Sequence, residues 1–367
     1  MARLVAATGT SGRRHREASV RGQGRRGLLA LSLALVTAAA VTTACSAGEA
    51  APAGSPAASG ATTAPASAAR PQVTTAEATR ALKDILAADA VLGAADPQRL
   101  ADQNNLLKQA RDGYLALTQA AFASAARMKQ DVPRHTWGEP RLLVPRLSQG
   151  PAWFAAVVDR RDAEGRARPA LLTVVRAGQG WQISSMSLLD TAPPEIAQDA
   201  EGYATALGED DSAVQISPRL MAPLHATTAE EGQAGFATGL IADGPHTTAH
   251  AKEIISVREV EKGNGLGYDS IFAASGYPVH ALRTADGGAL IMYSLIRTTT
   301  WSAKIYPSAD LMAKVPEDQR AEHRKTLKKE VRIVETQQYA GTVPPKSSHD
   351  LARVIGYAGG ITRVTSS

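Results

Sequence analysis

Apolar side chains recur three and four positions apart in the first patterned stretch of the chain, residues 73–131. Residues 82–86 place three of them on one helical face. Thr74 and Glu77 stand just before this stripe with the spacing of a capping box, in which Thr74 is the N-cap. A second apolar stripe covers residues 114–128. The pattern therefore predicts a block of helices at the start of the folded part.

The apolar period changes to two in the next stretch of the chain. Residues 153–158 form a continuous apolar run of the kind found in buried strands. Residues 181–186 alternate apolar and polar side chains, which is typical of a half-buried strand with Trp181 inward and Gln182 outward. Helices followed by an antiparallel meander predict an α+β domain, which we place at residues 73–192.

The second half of the chain repeats this order of helices and strands with weaker signals. Residues 195–207 and 220–230 are helix candidates, and residues 254–260 are a strand candidate. Residues 317–330 predict a charged helix. We place a second α+β domain at residues 193–367.

One hairpin signal in the second half is strong. Asp286-Gly287 lies between two apolar runs, and this dipeptide suits the tight turn that joins paired antiparallel strands. Side chains alternate along a strand, so Leu290 and Met292 are expected together on its inward face.

The N-terminal segment has a different character. Several arginines precede an Ala- and Leu-rich apolar run, and the small residues Thr43 and Ala44 precede Cys45. This order is typical of a secretory signal. The stretch resembles the lipobox of bacterial lipoproteins, which implies a signal peptide at residues 1–44, cleavage between Ala44 and Cys45, and acylation of Cys45 with chains such as palmitate. A retained membrane anchor is the alternative, for which the apolar run is marginally short.

Residues 45–72 are nearly all Ala, Pro, Ser, Gly and Thr, with two charged residues. Such a segment buries too little apolar surface to offset its ordering entropy, and it predicts a disordered tether after the lipid anchor. The whole chain carries a net charge of +5, but residues 1–44 hold seven arginines and one glutamate, which leaves 33 basic and 34 acidic residues. The mature protein therefore gives no charge argument for a nucleic-acid partner.

Residues 180–183 read Gly-Trp-Gln-Ile, a short element that is common in the nuclear transport factor two-like superfamily. Helices followed by a curved antiparallel meander that contains this element resemble the cone fold of that superfamily. Residues 142–145, 153–154 and 199–203, together with residues 286–290, resemble an uncharacterised domain of actinobacterial lipoproteins. The resemblance implies two cone-like α+β domains and no known activity.

Several residue groups could carry chemistry. His246 and His250 stand four residues apart, as in metal sites that add further ligands, or they are two exposed histidines. The Gly-rich residues 263–267 lack the Lys-Ser or Lys-Thr of a phosphate loop and predict a flexible loop. Basic residues within 320–329 could bind an anionic polymer or lipid headgroup, or form a solvated helix face. A cone mouth could use the following side chains: Asp199, Tyr203, Tyr268, Asp269 and His280.

Nothing in the spacing of these residues ties them into one site, so the sequence predicts no catalytic residue, no metal site and no cofactor. It favours an extracytoplasmic lipoprotein held in the cell membrane through Cys45, with a binding or scaffolding role toward an envelope protein or a small molecule. The alternative is an enzyme that acts on a small or envelope-derived substrate in a cone-shaped pocket. A transporter's solute-binding subunit would require repeated βαβ units, which the predicted meanders do not provide.

Overall fold

Antiparallel strands with packed helices make up the described part of the chain, which confirms the predicted α+β class. The computed structural model describes residues 71–92, 104–105, 107–132, 135–303 and 309–367. The predicted signal peptide, Ala44, Cys45 and nearly all of the predicted tether lie outside these residues. The described residues fall within one compact unit, residues 66–367.

The helices are α1 (Thr75–Leu92), α2 (Asp112–Met128), α3 (Pro218–Glu231), α4 (Thr248–Gly263), α5 (Ala309–Ala313) and α6 (Arg320–His323), with 3₁₀ turns at Gly232–Ala234 and Glu317–Gln319. The strands are β1 (Thr136–Trp137), β2 (Arg141–Leu143), β3 (Trp153–Arg161), β4 (Ala167–Ala177), β5 (Gly180–Leu189), β6 (Leu266–Ala274), β7 (His280–Arg283), β8 (Ala289–Ala303), β9 (Glu330–Val343) and β10 (Arg353–Ser366). The predicted N-cap of α1 is confirmed, because the Glu77 amide donates to Thr74 Oγ1 over 3.1 Å.

A single sheet joins the two halves of the chain. Its order is β1-β3-β4-β5-β10-β9-β8-β6, with β2 paired to β3 and β7 paired to β8. The junction is the antiparallel contact of β5 with β10, where Leu188 is opposite Tyr357 and Leu189 is opposite Gly356. The sheet is therefore continuous across residues 192–193, and the division into two cone-like domains stays a prediction.

Strand β8 lies at the centre of the second half. Leu290 and Met292 are buried on one face, as predicted, and Gly287 takes the positive φ of 86° that the hairpin turn requires. Ile291 and Tyr293 on the other face are also buried, in the core that α3 and α4 cover. Both faces of β8 are thus packed, which explains why its apolar run is nearly continuous.

One expectation for β5 needs correction. Trp181 packs against the same core as Ile183, as predicted, but Trp181 and Gln182 are both half-buried, so the expected difference in their exposure is wrong. Residues 109–111 run along the edge of β5, and the Gln182 side-chain amide donates to the Lys108 carbonyl oxygen over 3.0 Å. Trp181 meets Phe154 edge-on at 5.2 Å between ring centroids.

Three assignments in the second half are also corrected. Residues 195–207 are extended rather than helical, because their backbone pairs with β7 through the Ala206–Leu282 bridge. Residues 254–260 belong to helix α4 and not to a strand. The charged helix expected at 317–330 is limited to two short turns.

A buried side chain and a set of backbone hydrogen bonds hold the segment after α6 against the rest of the protein. Leu327 is buried in a small core with Val331. The amides of Lys328, Lys329 and Glu330 all donate to the Ser367 carbonyl oxygen, over 2.6–3.0 Å. These backbone partners replace the hydrogen bonds that a longer helix would make.

Candidate ligand-binding cavity

A fork in the sheet creates the space for a cavity. Beyond the Leu188–Tyr357 pair, β10 continues along β9 and β5 turns to another partner. That partner is the segment before α2: the Arg111 amide donates to the Ile183 carbonyl oxygen over 2.9 Å. Helix α2 then begins at Asp112 and packs on β5, β9 and β10. The helix therefore covers the opening between the diverging strands.

The first turn of α2 is fixed by polar contacts. The Asp112 carboxylate accepts from Ser184 Oγ over 2.6 Å and from Arg111 Nε over 3.0 Å. Gly113 is buried, and a Cβ added there would lie 2.7 Å from Nε2 of Gln338. The Gln338 amide in turn donates to the Ser184 carbonyl oxygen over 3.2 Å. Glycine at this position lets the helix backbone approach the sheet closely.

The cavity between α2 and the fork has a volume of about 870 Å³. This is within the range of small-molecule sites, roughly 300–1,000 Å³. The apolar part of its wall comes from α2, β1, β5 and β10 and comprises these side chains: Leu117, Ala120, Ala121, Phe122, Trp137, Met186, Leu188, Tyr357 and Ile361. Ala121 is exposed although it lines the cavity, so the cavity is open to solvent beside α2.

One end of the cavity is cationic. Arg160 of β3 and Arg168 of β4 are directly opposite each other in the strand register, and both line the cavity. Arg168 Nη2 donates to Asp190 over 2.9 Å. Arg160 Nη2 donates to Nε2 of His135. Burial and the nearby Arg160 charge lower the pKa of His135 to about 4, so this imidazole is neutral at neutral pH.

The other end of the cavity is acidic and polar. Arg127 of α2 makes a 2.8 Å ion pair with Asp318. Glu335 of β9 also lines the cavity, and burial raises the pKa of its carboxyl group. Strand register places Glu335 six residue steps from Arg168, on the order of 20 Å along the strands. His135 and Glu335, which both have shifted pKa values, therefore occupy opposite ends of the cavity.

A chain of polar contacts leads from the exposed Asp190 to the fully buried His225. Asp190, which accepts from Arg168, also meets His246 Nε2 over 2.8 Å. The His246 ring stacks on Tyr357 with 4.8 Å between centroids, and its carbonyl oxygen accepts from Nε2 of the fully buried His225 over 2.6 Å. The chain connects the cationic end to the core under α3.

The histidine pair singled out in the sequence is not a metal site. His246 contacts Asp190, whereas His250 Nδ1 lies 3.5 Å from Glu253. Both side chains are half-buried, so the interpretation as two exposed histidines is wrong. Across the described residues, no group of three His, Cys, Asp or Glu side chains is placed to hold a metal ion.

The candidates for a cone mouth are dispersed. Asp199 pairs with Arg146 over 2.7 Å, and Asp269 pairs with Arg258 over 3.2 Å. His280 packs against Trp153 with 4.7 Å between ring centroids. None of the five candidates lines the cavity under α2.

Sequence reasoning missed the residues that do line the cationic end. The signal is a basic hairpin, because positions 160 and 168 flank the polar turn at residues 162–166 symmetrically and each is arginine. His135 and Glu335 carried no sequence signal, since their partners lie far away in the chain.

Comparison with known proteins identifies the family. A family model described as Domain of unknown function (DUF8094) matches residues 69–366. The chain belongs to this family. The match covers every helix and strand described above, including all those that line the cavity under α2.

Curated relatives of this DUF8094 chain are proteins of Streptomyces. An uncharacterized lipoprotein of Streptomyces coelicolor is 30% identical over 227 residues, which are 59% of this chain and 61% of the relative. A second uncharacterized lipoprotein of that organism is 26% identical over 242 residues, 61% of this chain and 67% of the relative. The chain thus spans less than two thirds of the first relative. No solved structure matches the chain.

None of the described helices is both long and apolar enough to cross a membrane.

Proposed function

We propose that this protein is a lipid-anchored, extracytoplasmic binding protein whose cavity under α2 holds the apolar part of a small amphipathic molecule. The observation that carries the proposal is the cavity of about 870 Å³ with an apolar wall, open beside α2. Small-molecule sites are typically concave, mostly apolar and marked by a few polar groups. The cavity has this composition.

The anchoring part of the proposal has two supports. The relatives in Streptomyces are named lipoproteins. Residues 28–45 of this chain resemble a lipoprotein signal that ends at Cys45. Two acyl chains on Cys45 would hold the protein at the membrane stably, where a single chain would be marginal. A ligand that partitions between membrane and cavity suits a protein held at that surface.

An enzymatic role receives less support from the geometry. Acid–base chemistry needs groups with matched pKa values within reach of one substrate atom. His135 lies at the cavity end that holds Arg168, and Arg168 is on the order of 20 Å from Glu335 along the strands. The cavity is better suited to binding an elongated molecule than to attacking one of its bonds.

The test uses 11-bromoundecan-1-ol, whose bromine quenches tryptophan fluorescence on contact. Trp137 lines the cavity, so titration of the full chain should quench its emission, and Trp137→Phe should remove that quenching. Ala121→Phe fills the cavity and should weaken binding. Ala123→Phe, at an exposed α2 position that does not line the cavity, is the matched control. Equal quenching in Ala121→Phe and Ala123→Phe would refute the cavity as the binding site.

A further inference from the structure

A basic surface follows helix α6 and comprises four exposed side chains: Arg324, Lys325, Lys328 and Lys329. Two contacts fix the backbone that carries them. Leu327 is buried in a small core with Val331, and His323 Nδ1 lies 2.9 Å from Ser366 Oγ of β10. With Leu327 and His323 turned inward, the four cations face solvent.

The basic surface carries excess positive charge. None of its four side chains forms an ion pair with a described residue. The basic side chains around it do form such pairs: Arg127–Asp318, Lys314–Glu261 and Arg332–Glu330. Residues 317–329 hold five arginines and lysines against three acidic residues, of which Asp318 is already neutralised and Glu317 and Glu322 are exposed. The charge that remains is complementary to an anionic partner.

The basic surface is one short helix away from the cavity under α2. Pro316, Asp318 and Gln319 line that cavity, and α6 begins at the next residue. The ion pair of Arg127 with Asp318, over 2.8 Å, holds this segment against the end of α2. A partner that covers the basic surface therefore meets the Asp318 end of the cavity.

The predicted tether would let any face of the folded part reach a membrane. Residues 45–72 can span at most about 95 Å. A folded unit of the size of residues 66–367 is roughly 50 Å across. An anchor at Cys45 thus leaves the orientation open. Charge can decide it, because anionic lipid headgroups attract exposed Lys and Arg side chains at short range.

We propose that the basic surface binds the anionic headgroups of phospholipids and holds the Asp318 end of the cavity at the membrane. This contact goes beyond the proposed cavity function and needs no ligand in the cavity. It would give an amphipathic molecule a short path between the membrane and the cavity.

The test is co-sedimentation with lipid vesicles. It uses the unacylated chain from residue 46, which keeps every described element and lacks the arginine-rich residues 1–44. We expect binding to vesicles of equal parts phosphatidylcholine and phosphatidylglycerol, and none to phosphatidylcholine alone. Rising salt should weaken the binding, because it screens exposed charges. The triple variant Lys325→Glu, Lys328→Glu, Lys329→Glu should bind at least about tenfold more weakly.

The matched control reverses three exposed basic residues outside the basic surface: Arg80→Glu, Lys83→Glu and Lys346→Glu. Arg80 and Lys83 lie on α1, and Lys346 follows the opposite end of β9. Both triple variants have the same net charge, so only the first should lose binding. Equal loss in two variants that circular dichroism shows to be folded would overturn the proposal.

Labelled cysteines test the orientation without removing a cation. The chain from residue 46 contains no cysteine, so Glu322→Cys beside the basic surface and Ser347→Cys beyond β9 can each carry one environment-sensitive fluorophore. Anionic vesicles should shift the emission of the label at position 322 to the blue and leave that at position 347 unchanged. Shifts of equal size would overturn the proposed orientation.

The contact and the cavity function can fail separately. If the wild-type chain does not bind anionic vesicles but 11-bromoundecan-1-ol quenches Trp137, this inference fails and the proposed function stands. If vesicles bind through the basic surface and quenching is absent, the reverse holds. Soluble polyphosphate should compete poorly with vesicles at equal phosphate concentration. Strong competition would show a site for an anionic polymer and overturn the assignment to lipid.

Discussion

His225 should make the protein sensitive to mild acid. Its ring is fully buried, Nδ1 accepts from the Tyr293 hydroxyl over 2.9 Å, and Nε2 donates to the His246 carbonyl oxygen over 2.6 Å. Both ring nitrogens are therefore satisfied by the neutral imidazole. Burial lowers the pKa of His225 from 6.5 to about 3. Between these two values the unfolded chain binds a proton at this histidine and the folded chain does not.

The sign and size of the effect follow from proton linkage. Where the unfolded state binds more protons, the free energy of unfolding falls as the pH falls. For one group with a pKa of about 3 folded and about 6.5 unfolded, stability decreases by about 2 kcal/mol between pH 7 and pH 5. The same sign applies to His280, whose pKa burial lowers to about 4. Glu335 acts in the opposite direction, because burial raises its pKa.

The assay is urea unfolding of the full chain at pH 7 and pH 5, followed by circular dichroism at constant ionic strength. His225→Gln cannot titrate, so its loss of stability between the two pH values should be about 2 kcal/mol smaller than that of the wild type. Its lower stability at pH 7 does not affect this difference. His349→Gln, at an exposed position, should retain the wild-type pH dependence. Equal pH dependence in wild type and His225→Gln would show that His225 is not held neutral.

Three further predictions concern packing and anchoring. Gly113→Ala should lower the free energy of unfolding by about 1–3 kcal/mol, since the added Cβ would meet Gln338. Gly208→Ala is the control, because the space around Gly208 is open and the free energy of unfolding should not fall. Equal effects of the two substitutions would contradict the close approach of α2 to the sheet. Leu290→Ala should cost about 2–5 kcal/mol in chemical denaturation, and a cost below about 1 kcal/mol would contradict its burial. Cys45→Ala should abolish incorporation of labelled fatty acid, and unchanged labelling would exclude acylation at this residue.

Local patterns were sufficient for much of the fold. The α1 cap, the β3–β4–β5 meander and the Asp286-Gly287 hairpin depend on residues close together in the chain, so their signals are complete in the sequence. Helix α4 was missed for a physical reason. Ile255 and Val260 favour a strand by type, but they are exposed on a helix that buries Ala251 and Ile254. Packing on one helical face outweighed the local preference.

The cavity could not be predicted in the same way. Its walls come from α2, β1, β3, β4, β5, β9 and β10, and they meet because β5 pairs with β10 at Leu188–Tyr357 before the two strands diverge. No local turn or residue spacing indicates that pairing, since Leu188 and Tyr357 are separated by the whole second half of the chain. The symmetric arginines of the β3–β4 hairpin are evident in the sequence, but the cavity that they line is evident only in the structure.

The β5–β10 contact also has a consequence for the order of folding. Strands β3 to β5 can pair as soon as they are synthesised, whereas β5 must wait for Arg353–Ser366 to find its second neighbour. Such distant pairings form late, because loop closure costs entropy before contacts compensate for it. The Tyr357–Ile361 wall of the cavity is therefore among the last parts to form, and ligand binding would report completion of the whole fold.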